Sequence, residues 1–184
     1  MQTEEKKEKN YLKFFIALIF CLLIRLIPFR APNVEPILAT MMPFSKAYGM
    51  FAGFSFAVSS ILLYDVLTGT LGVQTFFTAG AYGLLGLWAV RYFKKNTESR
   101  WTYVRFAIMG TLFYDALTGF TVGPLFFHQT FWASVVGQIP FTALHLTSNV
   151  AFAFILSPAI YSLLIKKRKR ASSPLISLIS PKTI

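Results

Sequence analysis

Asp65 and Asp115 each follow a long apolar run, and each lies in a copy of one hexapeptide, Tyr64-Asp65-Val66-Leu67-Thr68-Gly69 and Tyr114-Asp115-Ala116-Leu117-Thr118-Gly119, a 50-residue period apart. The match continues in register with Phe56-Ala57 over Phe106-Ala107 and Phe76-Phe77 over Phe126-Phe127, so the duplicated segments are 51–77 and 101–127. An ionised carboxylate is expensive in hydrocarbon and marks a functional-site candidate by default. The chemistry on offer is a charged hydrogen bond or ion pair to a polar solute shielded from water. A duplicated, acid-tipped membrane unit points to a carrier, because internal repeats that meet at a substrate site are a common plan among transporters. The competing reading is a duplicated turn, since Asp and Gly are ordinary turn residues.

His145 and Asn149 are four apart and share one helix face, where they either meet a ligand or bond two helices together. With Asp65 and Asp115 they head a candidate substrate-binding set that adds Asn33, Glu35 and Gln74. His128, Gln129 and Trp132 complete it, and Tyr64 and Tyr114 are further stacking candidates. Glu35 has an alternative use as a loop ion pair with Arg30. No nucleophile elbow, His-Glu-x-x-His pattern or Walker loop occurs, so no catalytic residue is assigned and the chain is read as a non-enzyme. The acids and histidines match no metal-site spacing, and the lone Cys21 excludes a disulfide or a thiolate zinc cage. No metal and no cofactor is expected. Two acids and two histidines fit a polar heterocycle, cationic ones included.

The elements that carry these residues are membrane helices. The chain is 55% hydrophobic and only 14% charged, well below the quarter usual in soluble domains. Clear spans run over 11–28, 49–67, 74–93, 101–117 and 142–165, with two shorter apolar stretches at 33–46 and 127–140. Fifteen of the 18 basic residues precede the first run, sit at Lys46, flank the 91–105 loop or form the 166–170 run. Read as cytoplasmic markers, they argue against nucleic acid as the partner of the +11 charge and for contact with the lipid bilayer. Parity then requires 33–46 to cross and 127–140 to stay outside, as a long loop or an interfacial helix held by Trp132. The expected fold is all-α, an integral bundle of six transmembrane helices in the plasma membrane with both termini cytoplasmic. Residues 1–10 form a charged tail too polar for a cleaved signal peptide, 11–167 the membrane domain, and 168–184 a basic, then Ser/Pro-rich, disordered tail.

Small residues recur at helical spacing: Ala17 and Cys21, then Gly49, Gly53 and Ala57, then Ala79, Gly83 and Gly86. Such faces allow close helix approach, to a partner for the first two sets or within the chain itself. Together with Pro36-Ile37-Leu38-Ala39, the acid-tipped third helix, and Ile139-Pro140-Phe141-x-x-x-His145-x-x-x-Asn149 before Ser157-Pro158, the pattern over 11–167 resembles the substrate-specific S component of energy-coupling factor (ECF) transporters. That resemblance implies a six-helix binder of a vitamin or micronutrient, its pocket near the outer face, working with a transmembrane coupling subunit and two ATPase subunits. In that family the first-helix motif is usually Ala-x-x-x-Ala and contacts the coupling subunit; here its second position is Cys21. The alternatives are a standalone secondary transporter of a small solute and, third, a structural or enzymatic membrane protein.

Overall fold

The computed structural model describes residues 2–171, with side chains described over 10–164. The Ser/Pro-rich tail expected from sequence lies outside the described residues from position 172 onward. Six α-helices make up the described chain: α1 (Gln2–Arg25), α2 (Ile37–Tyr48), α3 (Met50–Thr68), α4 (Val73–Lys95), α5 (Arg100–Phe126) and α6 (Phe131–Ala171). Four of them, α3 to α6, are long and apolar enough to cross a membrane.

Contacts at the two ends show that the helices alternate in direction. At one end Lys13 Nζ of α1 donates to the Leu164 carbonyl of α6 (3.3 Å), and Lys46 of α2 pairs with Glu98 of the α4–α5 loop (3.7 Å) while lying over the Tyr161 ring. This is the basic end. At the other end Asn33, in the α1–α2 loop, donates through Nδ2 to the Phe141 carbonyl of α6 (3.1 Å). The charge clusters that the sequence groups together thus share one end of the bundle.

Residues 37–45 of α2 are all buried. At 12 residues, or ~18 Å, this helix is too short to span lipid alone, and the surrounding helices enclose it instead. Burial among helices also explains how Pro43 is tolerated in its interior, because neighbouring groups replace lost backbone partners. The α2–α3 joint needs Gly49, whose φ of 88° lies where a side chain is strained.

The repeated hexapeptide adopts two different endings. In the first copy Gly69 takes a left-handed φ of 69°, its N–H returns to the Asp65 and Val66 carbonyls, and α3 stops. In the second copy Gly119 continues as helix, and α5 runs on to Phe126. The flanks decide this: Thr70-Leu71-Gly72 comes after the first copy and breaks the helix, whereas Phe120-Thr121-Val122 comes after the second and can be buried or lipid-facing without interruption. The long outer loop expected at 127–140 is therefore corrected: residues 131–140 are the first turns of α6, Pro140 lies inside that helix, and only 127–130 remain as a connection.

Candidate functional site

Arg25, the last residue of α1, turns inward instead of toward headgroups, and is 7% exposed. Its Nη1 donates to the Ser60 carbonyl (2.8 Å), its guanidinium stacks on Tyr64 (3.8 Å to the ring centroid), and its Nε stands 3.2 Å from Glu35 Oε2. That last contact is an ion pair without hydrogen-bond alignment, which is why Nε has no hydrogen-bond partner. Glu35 also accepts from the Tyr82 hydroxyl of α4 (2.5 Å). His145 of α6 lies with Nε2 3.4 Å from the Tyr82 oxygen and 3.9 Å from Glu35 Oε1, and with Nδ1 2.7 Å from Asp115 Oδ1 of α5. Five residues from α1, the α1–α2 loop, α4, α5 and α6 thus form one continuous polar chain, buried except at Glu35, which is partly exposed.

Tyr82 has one hydroxyl hydrogen, and Glu35 takes it, so the Tyr82 oxygen can only accept on the side of His145 Nε2, while Nδ1 meets a carboxylate oxygen of Asp115. Arg25 is paired with Glu35, and that pairing matters because an uncompensated ion in this setting costs several kcal/mol. One turn further along both helices, Asn149 Nδ2 donates to Thr111 (2.9 Å), giving α5 and α6 a second polar rung. Asp115 Oδ2 and Asn149 Oδ1 are buried without a hydrogen-bond partner.

Next to this cluster lies an open cleft of about 420 Å³ between α4, α5 and α6. That volume falls within the ~300–1,000 Å³ typical of small-molecule sites. Gln74 and Thr78 of α4, Thr118 of α5, Ser134 and Gln138 of α6, and Gln129 of the α5–α6 connection are its polar lining. Tyr114 and Phe141 also line it, and both rings contact His145, at 5.5 and 5.9 Å between centroids. These two aromatics separate the cleft from the buried charges.

The sequence candidates therefore divide into groups. Glu35, Asp115 and His145 come together in the buried cluster, Asn149 forms the separate rung with Thr111 one turn away, and Gln74 and Gln129 line the cleft. Asn33, with a left-handed φ of 62°, ties its loop to α6. Asp65 accepts from Thr75 (2.6 Å) and bridges α3 to α4 outside both groups. His128 and Trp132 are exposed at the α5–α6 turn, with Trp132 at 74%. Seventeen residues of mostly helical chain separate His128 from His145, roughly 25 Å at full helical rise, so the two histidines do not converge. Glu35 pairs with Arg25 and not with Arg30, whose Nη1 donates to the Val34 carbonyl.

The small-residue stripes divide as well. Gly53 faces Gly86 and Ser45 so closely that a Cβ would stand 1.9 Å from Ser45 Oγ, and Ala57 and Cys21 are fully buried. Gly53, Ala57 and Cys21 thus pack the chain's own core, and Gly49 serves the turn. Ala17 alone of that interface set borders an open apolar groove, of about 410 Å³ between α1, α2 and α6.

Arg25 and Tyr82 are members of the cluster that sequence reasoning misses. Arg25 reads as an end-of-helix charge, and the signal that could separate it is arithmetic: two acids and one histidine in apolar surroundings require a cation. Tyr82 carries no such signal among many aromatics. No family model, curated protein or solved structure matches this chain.

Proposed function

We propose that the chain is the substrate-binding membrane component of an ECF-type uptake transporter for a vitamin or related micronutrient. The observation that carries this reading is the polar cleft at the non-basic end of the bundle, backed by an internally paired polar cluster and floored by aromatics. A site of that kind is built to hold a solute, and nothing in the described residues resembles a nucleotide loop that would drive its release. Six crossings of the plasma membrane, with both termini and the basic end cytoplasmic, put the cleft on the outer side; alternating helix directions and the clustered charges support that topology. The transmembrane coupling subunit would seat on the apolar groove beside Ala17, with Phe20, Ile160 and Leu163 in its walls. Two ATPase subunits would then act through that subunit.

A standalone secondary transporter is the second reading, favoured by the buried Asp115–His145 pair, since acid–histidine chains relay protons in such carriers. Purification of the tagged chain from its native membrane separates the two. Recovery of a coupling subunit and two ATPases, lost in Ala17→Leu, is the expected result. Solute uptake by the chain alone in liposomes, driven by a proton or sodium gradient, would overturn it in favour of the second reading.

A further inference from the structure

If the cleft is the ligand site, its lining restricts what it can hold. Among the described residues, no Asp, Glu, Lys, Arg or His lines it. The ionisable groups beneath the floor already engage one another, Arg25 with Glu35 as an ion pair and Asp115 with the His145 ring at 2.7 Å, behind the Tyr114 and Phe141 rings. A charged solute would give up water for a site that offers no counter-charge, a desolvation cost that nothing in the lining offsets.

What the cleft does offer is amide. Gln74, Gln129 and Gln138 each present a carbonyl acceptor beside N–H donors. Each is tethered at one atom: Gln138 Nε2 donates to the Asp115 carbonyl (2.8 Å), Gln74 Nε2 to the Thr70 carbonyl (3.1 Å), and Gln129 Oε1 accepts from Ser134 (3.3 Å). The tether fixes the amide while its remaining donor and acceptor capacity stays free for a ligand. Two glycines of α5 make the room. A Cβ at Gly119 would fall 1.5 Å from Gln138 Nε2, and one at Gly123 would fall 2.6 Å from Gln129 Oε1. Gln138 and Gln129 therefore pack directly against the α5 backbone, in a cleft that Tyr114 and Phe141 also line.

We infer that the cleft takes an uncharged, planar heterocycle bearing a lactam or carboxamide edge. An adjacent donor and acceptor on such an edge pair with the same two groups of a glutamine amide, and the ring lies against an aromatic face. This inference rests on the cleft being a ligand site, and it departs from the cationic heterocycle that the acids and histidines suggest in sequence.

The test is affinity-selection mass spectrometry on the full chain in lipid nanodiscs, with neutral probes set against charged counterparts: uracil against orotate, and nicotinamide against nicotinate and benzamidine. A metabolite extract is run beside them. Capture of the neutral members is expected, weakened about tenfold by Gln129→Glu, an exposed and isosteric change that leaves thermal stability unaltered. Preferential capture of charged members, from the probes or the extract, overturns the ligand class but preserves the binding reading. Neutral capture that ignores both Gln129→Glu and Gly119→Leu overturns the location. No capture from either source overturns the cleft as a ligand site altogether.

Discussion

Replacing Glu35 by Gln keeps the shape of the buried cluster and removes one charge, and the outcome depends on which partner can adapt. Gln still accepts the Tyr82 hydroxyl that Glu35 accepts at 2.5 Å. Arg25 cannot adapt: its guanidinium does not lose its proton, it is 7% exposed, and its remaining contacts are the Ser60 carbonyl and the Tyr64 face. Breaking a buried pair by removing one member costs about 3–5 kcal/mol, and Glu35→Gln is expected in that range. Asp115→Asn is the informative contrast. It also alters a carboxylate, 2.7 Å from His145, but it strands no guanidinium, and the new amide oxygen still accepts from the ring. The loss is then of the order of one hydrogen bond, about 1–1.5 kcal/mol. Taking out both charges, as Arg25→Met with Glu35→Gln, should recover most of the larger loss, because no ion is left stranded. The measurement is reversible unfolding in mixed micelles as denaturing detergent is titrated, analysed as a double-mutant cycle. If Glu35→Gln costs no more than Asp115→Asn, or if the double variant is as unstable as the sum of its parts, the charge accounting of this cluster is wrong.

Gly53→Leu should abolish folding, seen as loss of the monodisperse peak in size-exclusion chromatography. Gly80→Ala, where a Cβ meets nothing within 4 Å, should leave that peak intact. Cysteines placed singly at Thr97 and Gln129 in a Cys21→Ala background should label from opposite faces of intact cells, and labelling of both from outside would refute the alternating topology. Asp65→Asn, whose partner is the Thr75 hydroxyl, should cost about 1 kcal/mol in the same unfolding assay; a loss as large as that of Glu35→Gln would give Asp65 a role beyond bridging α3 and α4.

Much of the architecture is written in the order of residues. Apolar runs fix the main helices, because chain in hydrocarbon must satisfy its backbone internally, and the basic clusters fix which helix ends lie together, as Lys46 beside Glu98 shows. The acids, His145 and Asn149 were legible as site candidates because an ionisable or amide group in an apolar run needs a reason to be there. Tertiary structure decided what local sequence leaves degenerate. Tyr-Asp-x-Leu-Thr-Gly ends α3 but lies inside α5, since a glycine terminates a helix only when the residues after it cannot continue one. That choice moved Asp115 from a helix end into the middle of the bundle and separated His128 from His145. Gly53 and Gly83 read alike as small residues, yet which face meets a partner depends on how helices are rotated, and rotation set Gly53 against Gly86 and left Ala17 on an open groove. Arg25 and Tyr82 joined the cluster from residues distant in sequence, because a buried charge is neutralised by whatever the fold brings within ~4 Å, and helical periodicity carries no record of that distance.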